Sequence, residues 1–234
     1  MARSKPFGTI TTVLSTLSLC MGVPSLAVAE TPSFRCTKNL SAAESLICQD
    51  AKLSRLDRDL ALSYKNVNQR LDGEGKAALL EEQRTFLYAR DRLAEEIKSS
   101  NQASKSSLGQ LMRQHLSSLQ HIKPRQQASD IMGSWFVTSG GVDINKRDAN
   151  TLSLHLNRVE PTRGNWVCDF QGTAQATDAQ AKHLVFHSND DPQQQLHIER
   201  VGSILRVSTP QGNGTNYCGL NGTVNGDYLP LSSK

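Results

Sequence analysis

Histidines, cysteines and helical carboxylates are the residues with chemistry to offer in this 234-residue chain. His155, His183, His187 and His197 fall in stretches where apolar and polar residues alternate, and the alternation sets His155 and His197 on the face opposite the leucines. If their strands are neighbours, these two imidazoles meet and can hold a divalent metal or titrate together near neutral pH. The simpler reading is four separate solvent-facing histidines, and no metal site or cofactor is assigned. Hydrolysis needs a nucleophile beside a base, or a pair of carboxylates, on a rigid scaffold. The sequence has no G-x-S-x-G elbow, no H-E-x-x-H pair and no glycine-rich phosphate loop. Glu81, Glu82, Asp91, Glu95 and Glu96 have basic neighbours such as Arg84 and Arg90 at helical spacing, the pattern of a solvated face laced with ion pairs. The residues describe a protein that binds, and no enzyme activity is expected.

Where it works is written at the N-terminus. Arg3 and Lys5 precede a largely apolar run from Ile10 to Val28, and Ala27-Val28-Ala29 supplies the small residues of a cleavage site. Pro24 and the serines and threonines leave the run short of a membrane span, which needs roughly 20 apolar residues. Residues 1–29 are therefore expected to be a signal peptide, cut before Glu30, with no membrane span in the mature protein and a periplasmic or secreted location. Lipidation at Cys20 is the alternative, disfavoured by Leu19 where lipoprotein signals carry a small residue. The charge of +4 drops to about +2 without Arg3 and Lys5, and no Lys/Arg run remains, so nucleic acid is not an expected partner.

Removal of the signal leaves Cys36, Cys48, Cys168 and Cys218, an even number in an oxidising compartment. Four cysteines allow three connectivities. The close pair and the distant pair lie in segments of different composition, which favours Cys36 with Cys48 and Cys168 with Cys218. Without C-x-x-C spacing, a zinc site is disfavoured.

Two kinds of element must position these groups. Leu53, Leu56, Leu60, Tyr64, Val67 and Leu71 step at the three-four spacing of a helix face, and the two glycines of Asp72-Gly73-Glu74-Gly75 are expected to stop that helix. A second helix is predicted from about Lys76 to Ile97 with Leu80, Phe86, Leu87 and Ala94 toward the first, and a third from Leu108 to Leu119. Ser41 before Glu44 resembles a capping box that starts a short helix ending near Cys48. After the polar stretch 121–132 the period becomes two: Leu152, Leu154 and Leu156 alternate with Ser153, His155 and Asn157, and Leu196 and Ile198 with His197 and Glu199. Turns are expected at Gly140-Gly141, Gly172, Gly212 to Gly214 and Gly222 to Gly226. The Gly133-Ser134-Trp135 opening resembles the G-x-W start of lipocalin-like barrels; more simply, Trp135 is a core residue on the first strand. The expected fold is α+β: a disulfide-stapled helical hairpin or bundle over residues 30–120, a linker over 121–132, and a small antiparallel β-barrel or sandwich over 133–234.

Ser33-Phe34-Arg35-Cys36, Ala43-Glu44-Ser45-Leu46-Ile47-Cys48, Leu56-Asp57-Arg58-Asp59-Leu60, Tyr64, Glu82-Gln83-Arg84 and Arg90-Asp91 together resemble the N-terminal domain family of the lysozyme inhibitor LprI, a small exported helical module. The resemblance implies a protein partner, a lysozyme or another peptidoglycan-cleaving hydrolase. Family members commonly carry a second cysteine pair after the Arg-Asp step; here Leu93 and a serine-rich stretch stand in that region. Two loops have the composition of a plug for a glycan cleft: Ser139-Gly140-Gly141, and Gly212 to Tyr217 with Asn213 and Tyr217, where glycine permits close approach and polar side chains can reach catalytic carboxylates. Read more plainly, both are hairpin turns. An immunity protein against one secreted effector, and a non-inhibitory envelope scaffold, are the alternative roles.

Overall fold

The structure, a computed structural model, describes residues 31–99, 104–124, 131–175, 183–210 and 216–232. The expected signal peptide, residues 125–130 of the expected linker, and Asn213 with the Gly212 to Gly214 run lie outside these residues. Four helices come first: α1 (Ala42–Cys48), α2 (Ala51–Arg70), α3 (Gly73–Ser99) and α4 (Lys105–His121). Eight strands follow: β1 (Gly133–Val137), β2 (Gly140–Lys146), β3 (Thr151–Val159), β4 (Val167–Gln175), β5 (His183–Ser188), β6 (Gln195–Val201), β7 (Ile204–Ser208) and β8 (Gly226–Pro230). The protein is α+β, a disulfide-stapled helical unit followed by a closed antiparallel barrel.

Local chemistry sets the helix ends. Ser41 and Glu44 form the reciprocal capping box at α1, and the Asp50 carboxylate accepts the Lys52 and Leu53 N–H groups at the start of α2. The glycines after Asp72 open α3 rather than closing α2, because the Asp72 carboxylate accepts the Gly75 N–H at 2.9 Å and caps the new helix. A Cβ at Gly75 would lie 2.2 Å from Ser203 Oγ, so this glycine also lets α3 approach the barrel.

Packing within the helical unit departs from a hairpin. The apolar stripe of α2 lies chiefly on α4, and α1 on α3. Phe86 of α3 stacks on His115 of α4, ring centroids 3.9 Å apart. Leu79 occupies the core where the spacing suggested Leu80, which is 42% exposed. Phe86 and Ala94 are buried as the spacing predicts, and because α3 packs on α1, α4 and the barrel its buried arc is wider than a single stripe.

The strands run as an up-and-down meander, each paired with the next, and β8 closes the barrel on β1 through Trp135 opposite Pro230 and Phe136 opposite Leu229. Trp135, Leu154, Leu156, Phe170, Phe186, Ile198, Leu205 and Tyr228 fill the interior. Each of these side chains is 2% exposed or less, so side chains fill the interior. Tyr228 donates to the Val224 carbonyl at 2.7 Å and Trp135 Nε1 to the Ile131 carbonyl at 2.8 Å, which satisfies the polar atoms of both large rings. Gly172 lies inside β4 and makes no turn. Its missing side chain leaves room for the Phe170 ring and the His187 carbonyl, each 2.5 Å from where a Cβ would stand.

The helical unit sits on the outside of β7, β8 and β1. Ile204, Leu229 and Ile122 are fully buried in the helical core, joined by partly buried Phe136 and Val201. Adjacent residues of β8 therefore serve two cores, Tyr228 the barrel and Leu229 the helices.

Candidate functional site

In an up-and-down barrel the β1–β2, β3–β4, β5–β6 and β7–β8 connections share one end, and both loops singled out by composition are found there. Ser139 ends the two-residue Thr138-Ser139 connection between β1 and β2 and is only 3% exposed. Its Oγ accepts from Arg158 Nε at 2.9 Å, and Arg158 Nη1 reaches the Asn225 carbonyl at 2.9 Å. A Cβ on Gly140 would stand 2.0 Å from the Asn157 carbonyl, and one on Gly141 2.8 Å from the Trp135 carbonyl. The space these glycines provide is taken by the protein's own strands.

The same hairpin seats α3. The Thr138 N–H donates to the Glu82 carboxylate, and Thr138 Oγ1 to the Glu82 carbonyl at 3.4 Å. Glu82, which the sequence placed on a solvated face, is 8% exposed. Burial pushes its carboxyl up; the Thr138 hydrogen bonds and the Arg158 guanidinium act against this without cancelling it. Beside it, a cleft of about 550 Å³ between α3 and the barrel is lined by Leu80, Glu82, Arg158, Arg206 and Asp227 among others. Because the folded carboxyl binds its proton more tightly than the unfolded one, its contribution to stability falls as pH rises above the unfolded value near 4.5. Replacing Glu82 by Gln keeps an acceptor for Thr138 and removes the titration. Urea denaturation at pH 5 and pH 8 should show E82Q gaining on the wild type at the higher pH.

Tyr217 stands at the other loop, its ring edge-on to Phe170 at 5.0 Å and its carbonyl accepting the Asp169 N–H at 2.9 Å. Cys168, paired with Cys218 in the second disulfide, pins this connection to β4. Beyond the bridge, Gly219 to Gly222 forms a tight turn: the Gly222 N–H donates to the Gly219 carbonyl at 2.8 Å, and Asn221 takes φ 64°. Leu220 on its tip is 88% exposed. Val167, 57% exposed, accepts the Gly219 N–H through its carbonyl and faces Val159 across the β3–β4 pair. Leu220 and Val167 are thus exposed apolar residues beside the disulfide and the tight turn. The sequence signal was Cys218-Gly219-Leu220-Asn221-Gly222, a turn composition with leucine where turns ordinarily place a polar residue.

The histidines divide differently from the expectation. His155 Nε2 lies 3.1 Å from Asp169 on β4, and His187 Nδ1 3.1 Å from the Pro192 carbonyl. His197 meets His183, not His155: β5 and β6 are neighbours, and the two rings stand nearly perpendicular with centroids 4.9 Å apart. Among the described residues no group of three or more His, Cys, Asp or Glu is placed to hold a metal ion, and no helix is long and apolar enough to cross a membrane.

At the N-terminal end, the Cys36–Cys48 bond ties the extended leader to the end of α1. Asp57 accepts from both the Ser33 N–H at 2.7 Å and the Ser33 hydroxyl at 2.5 Å, fastening the same leader to α2. Gln83 reaches His115 at 3.4 Å, and Arg90 pairs with Asp91. Of these contacts Gln83 with His115 joins α3 to α4, Ser33 with Asp57 ties the segment before α1 to α2, and Arg90 with Asp91 stays within α3. Residues 36–128, which contain all four helices, match the lysozyme inhibitor LprI family. The barrel lies outside that match. No curated protein and no solved structure matches the chain.

Proposed function

We propose that the protein is exported to the periplasm or beyond and there binds and inhibits a lysozyme-like peptidoglycan-cleaving enzyme. The observation that carries this reading is the LprI match over the whole stapled helical unit. The N-terminal pattern of residues 1–29 and the two disulfides are in keeping with export. We further read the chain as two units, helical and barrel, that dock through the Ile204 and Leu229 face.

The contact surface on this reading includes the barrel end around Tyr217 and Leu220. Ser139 is turned to Arg158 and is only 3% exposed, so its hydroxyl is out of reach of a partner's carboxylate. The LprI-like segment is slightly basic, whereas on-rate against strongly basic lysozymes is raised by an acidic surface. The partner is therefore sought across several enzyme classes. Mature protein at micromolar concentration is expected to slow lysis of a cell-wall suspension by at least one of a panel of c-type, g-type and phage-type lysozymes and bacterial glycan hydrolases. L220D, in the full-length protein, should weaken that inhibition without lowering the melting temperature. Absence of inhibition across the panel, with both disulfides verified by mass, would leave a dedicated partner as the better reading. The barrel outside the family match favours such a role, that of an immunity protein against one secreted effector.

A further inference from the structure

The outer face of β5 and β6 carries two imidazoles in a relation their sequence spacing does not announce. His183 stands opposite Glu199 and Val185 opposite His197 in the register, so the two histidines are diagonal neighbours on one face of the sheet. Their ring centroids are 4.9 Å apart with the planes at 86°. Two imidazoles bound to one ion at about 2.0–2.1 Å, with an N–metal–N angle between about 90° and 109°, have centroids roughly 4.5–5.2 Å apart. The observed separation falls inside that interval.

Other features suit a cation. His183 is exposed and His197 half-buried, so the pair is open to solvent. Burial, and then the nearness of His183, hold His197 below the ordinary imidazole range, so its ring nitrogens are free of the extra proton at neutral pH. Glu199, across from His183, adds a negative charge that it shares with Arg206, its partner in the register on β7. The helical core meets β1, β7, β8 and the Val201 end of β6, and neither His183 nor His197 belongs to it.

We propose that His183 and His197 form a two-imidazole site for a divalent transition-metal ion, with water completing the coordination. Imidazole nitrogen and an open coordination sphere rank the ions as the general stability order does, Cu2+ above Zn2+. The site is independent of the inhibitor reading, since it needs neither the helical unit nor the Leu220 turn.

The test is calorimetric titration of the untagged mature protein with CuCl2 and with ZnCl2 at pH 7.4, together with Cu2+ electron paramagnetic resonance. One equivalent of Cu2+ is expected, bound more tightly than Zn2+, with a spectrum showing nitrogen coupling from imidazole. H183A and H197A should each weaken Cu2+ binding by about tenfold or more, while H155A and H187A leave it unchanged. All four sites are on the barrel exterior, and thermal melts verify that each variant is folded. Failure to bind one equivalent of Cu2+, or binding that survives both H183A and H197A undiminished, overturns the proposal.

Discussion

Replacement of Cys168 and Cys218 together by alanine is expected to lower the unfolding free energy by about 4 kcal/mol, from the chain-entropy cost of the 50-residue separation that the bond closes. The same change at Cys36 and Cys48, separated by 12 residues, should cost about 3 kcal/mol. The larger effect has a second source. Cys168 is fully buried beside Phe170, and its bridge joins β4 to the long connection between β7 and β8, so its removal also leaves poorly filled space at the barrel end. Urea denaturation of each double variant gives both numbers. Hydrogen exchange adds a local reading: the Gly219 and Gly222 amides should lose protection in C168A/C218A and keep it in C36A/C48A. A smaller loss from the longer loop than from the shorter one would show that this connection is held by other contacts.

Acidification should weaken the helical unit through one side chain. His115 lies between α3 and the barrel, stacked on Phe86, with Phe136 at 6.5 Å and no partner for Nδ1 among the described residues. Burial depresses its pKa to about 4. Neutral imidazole is thus the folded form, while the unfolded chain protonates near 6.5. The sign follows from proton uptake: between these values the unfolded state binds more protons, so stability is full above 6.5 and is lost as pH falls toward 4. The shift corresponds to about 3 kcal/mol. H115F keeps a ring against Phe86 and cannot titrate, so its unfolding free energy should fall about 3 kcal/mol less than that of the wild type between pH 7 and pH 4. Parallel pH profiles for the two proteins would show that His115 is solvated in the folded state. Glu82 acts in the opposite direction, and E82Q/H115F separates the two.

Much of this architecture was legible in the sequence because it depends on local rules. Periodicity found α2 and α4, the Ser41 and Glu44 pair announced α1, and alternation in β3 and β6 set Leu154 and Ile198 inward with His155 and Glu199 outward. The readings that failed depended on what a segment packs against. Glu82 has the sequence context of a surface carboxylate and is buried because the β1–β2 hairpin covers that side of α3. Leu79 is buried in the helical core while Leu80 lines the cleft between α3 and the barrel, a difference that helical spacing alone does not fix. Leu229 follows Tyr228 with no polar residue between, since β8 is buried on both faces and such strands lose alternation. The pairing of His183 with His197 required the strand order, which no period reveals. The candidate loops split: glycine and serine near residue 140 described a hairpin folded against its own strands, while Leu220 went unnoticed because an apolar residue in a turn breaks the pattern by which turns are recognised.

Leu229 also sets an order of events during folding. The four helices precede the barrel in the sequence, yet the floor of their core includes Ile204 and Leu229, and the latter lies in the last of the described strands. The barrel closes only when that strand pairs with β1, across about ninety residues, a non-local contact of the kind that folds slowly. Until then the helical unit exposes the apolar surface that β8 will cover. A chain cut short before Gly226 is therefore expected to lose the closing strand of the barrel and the floor of the helical core together.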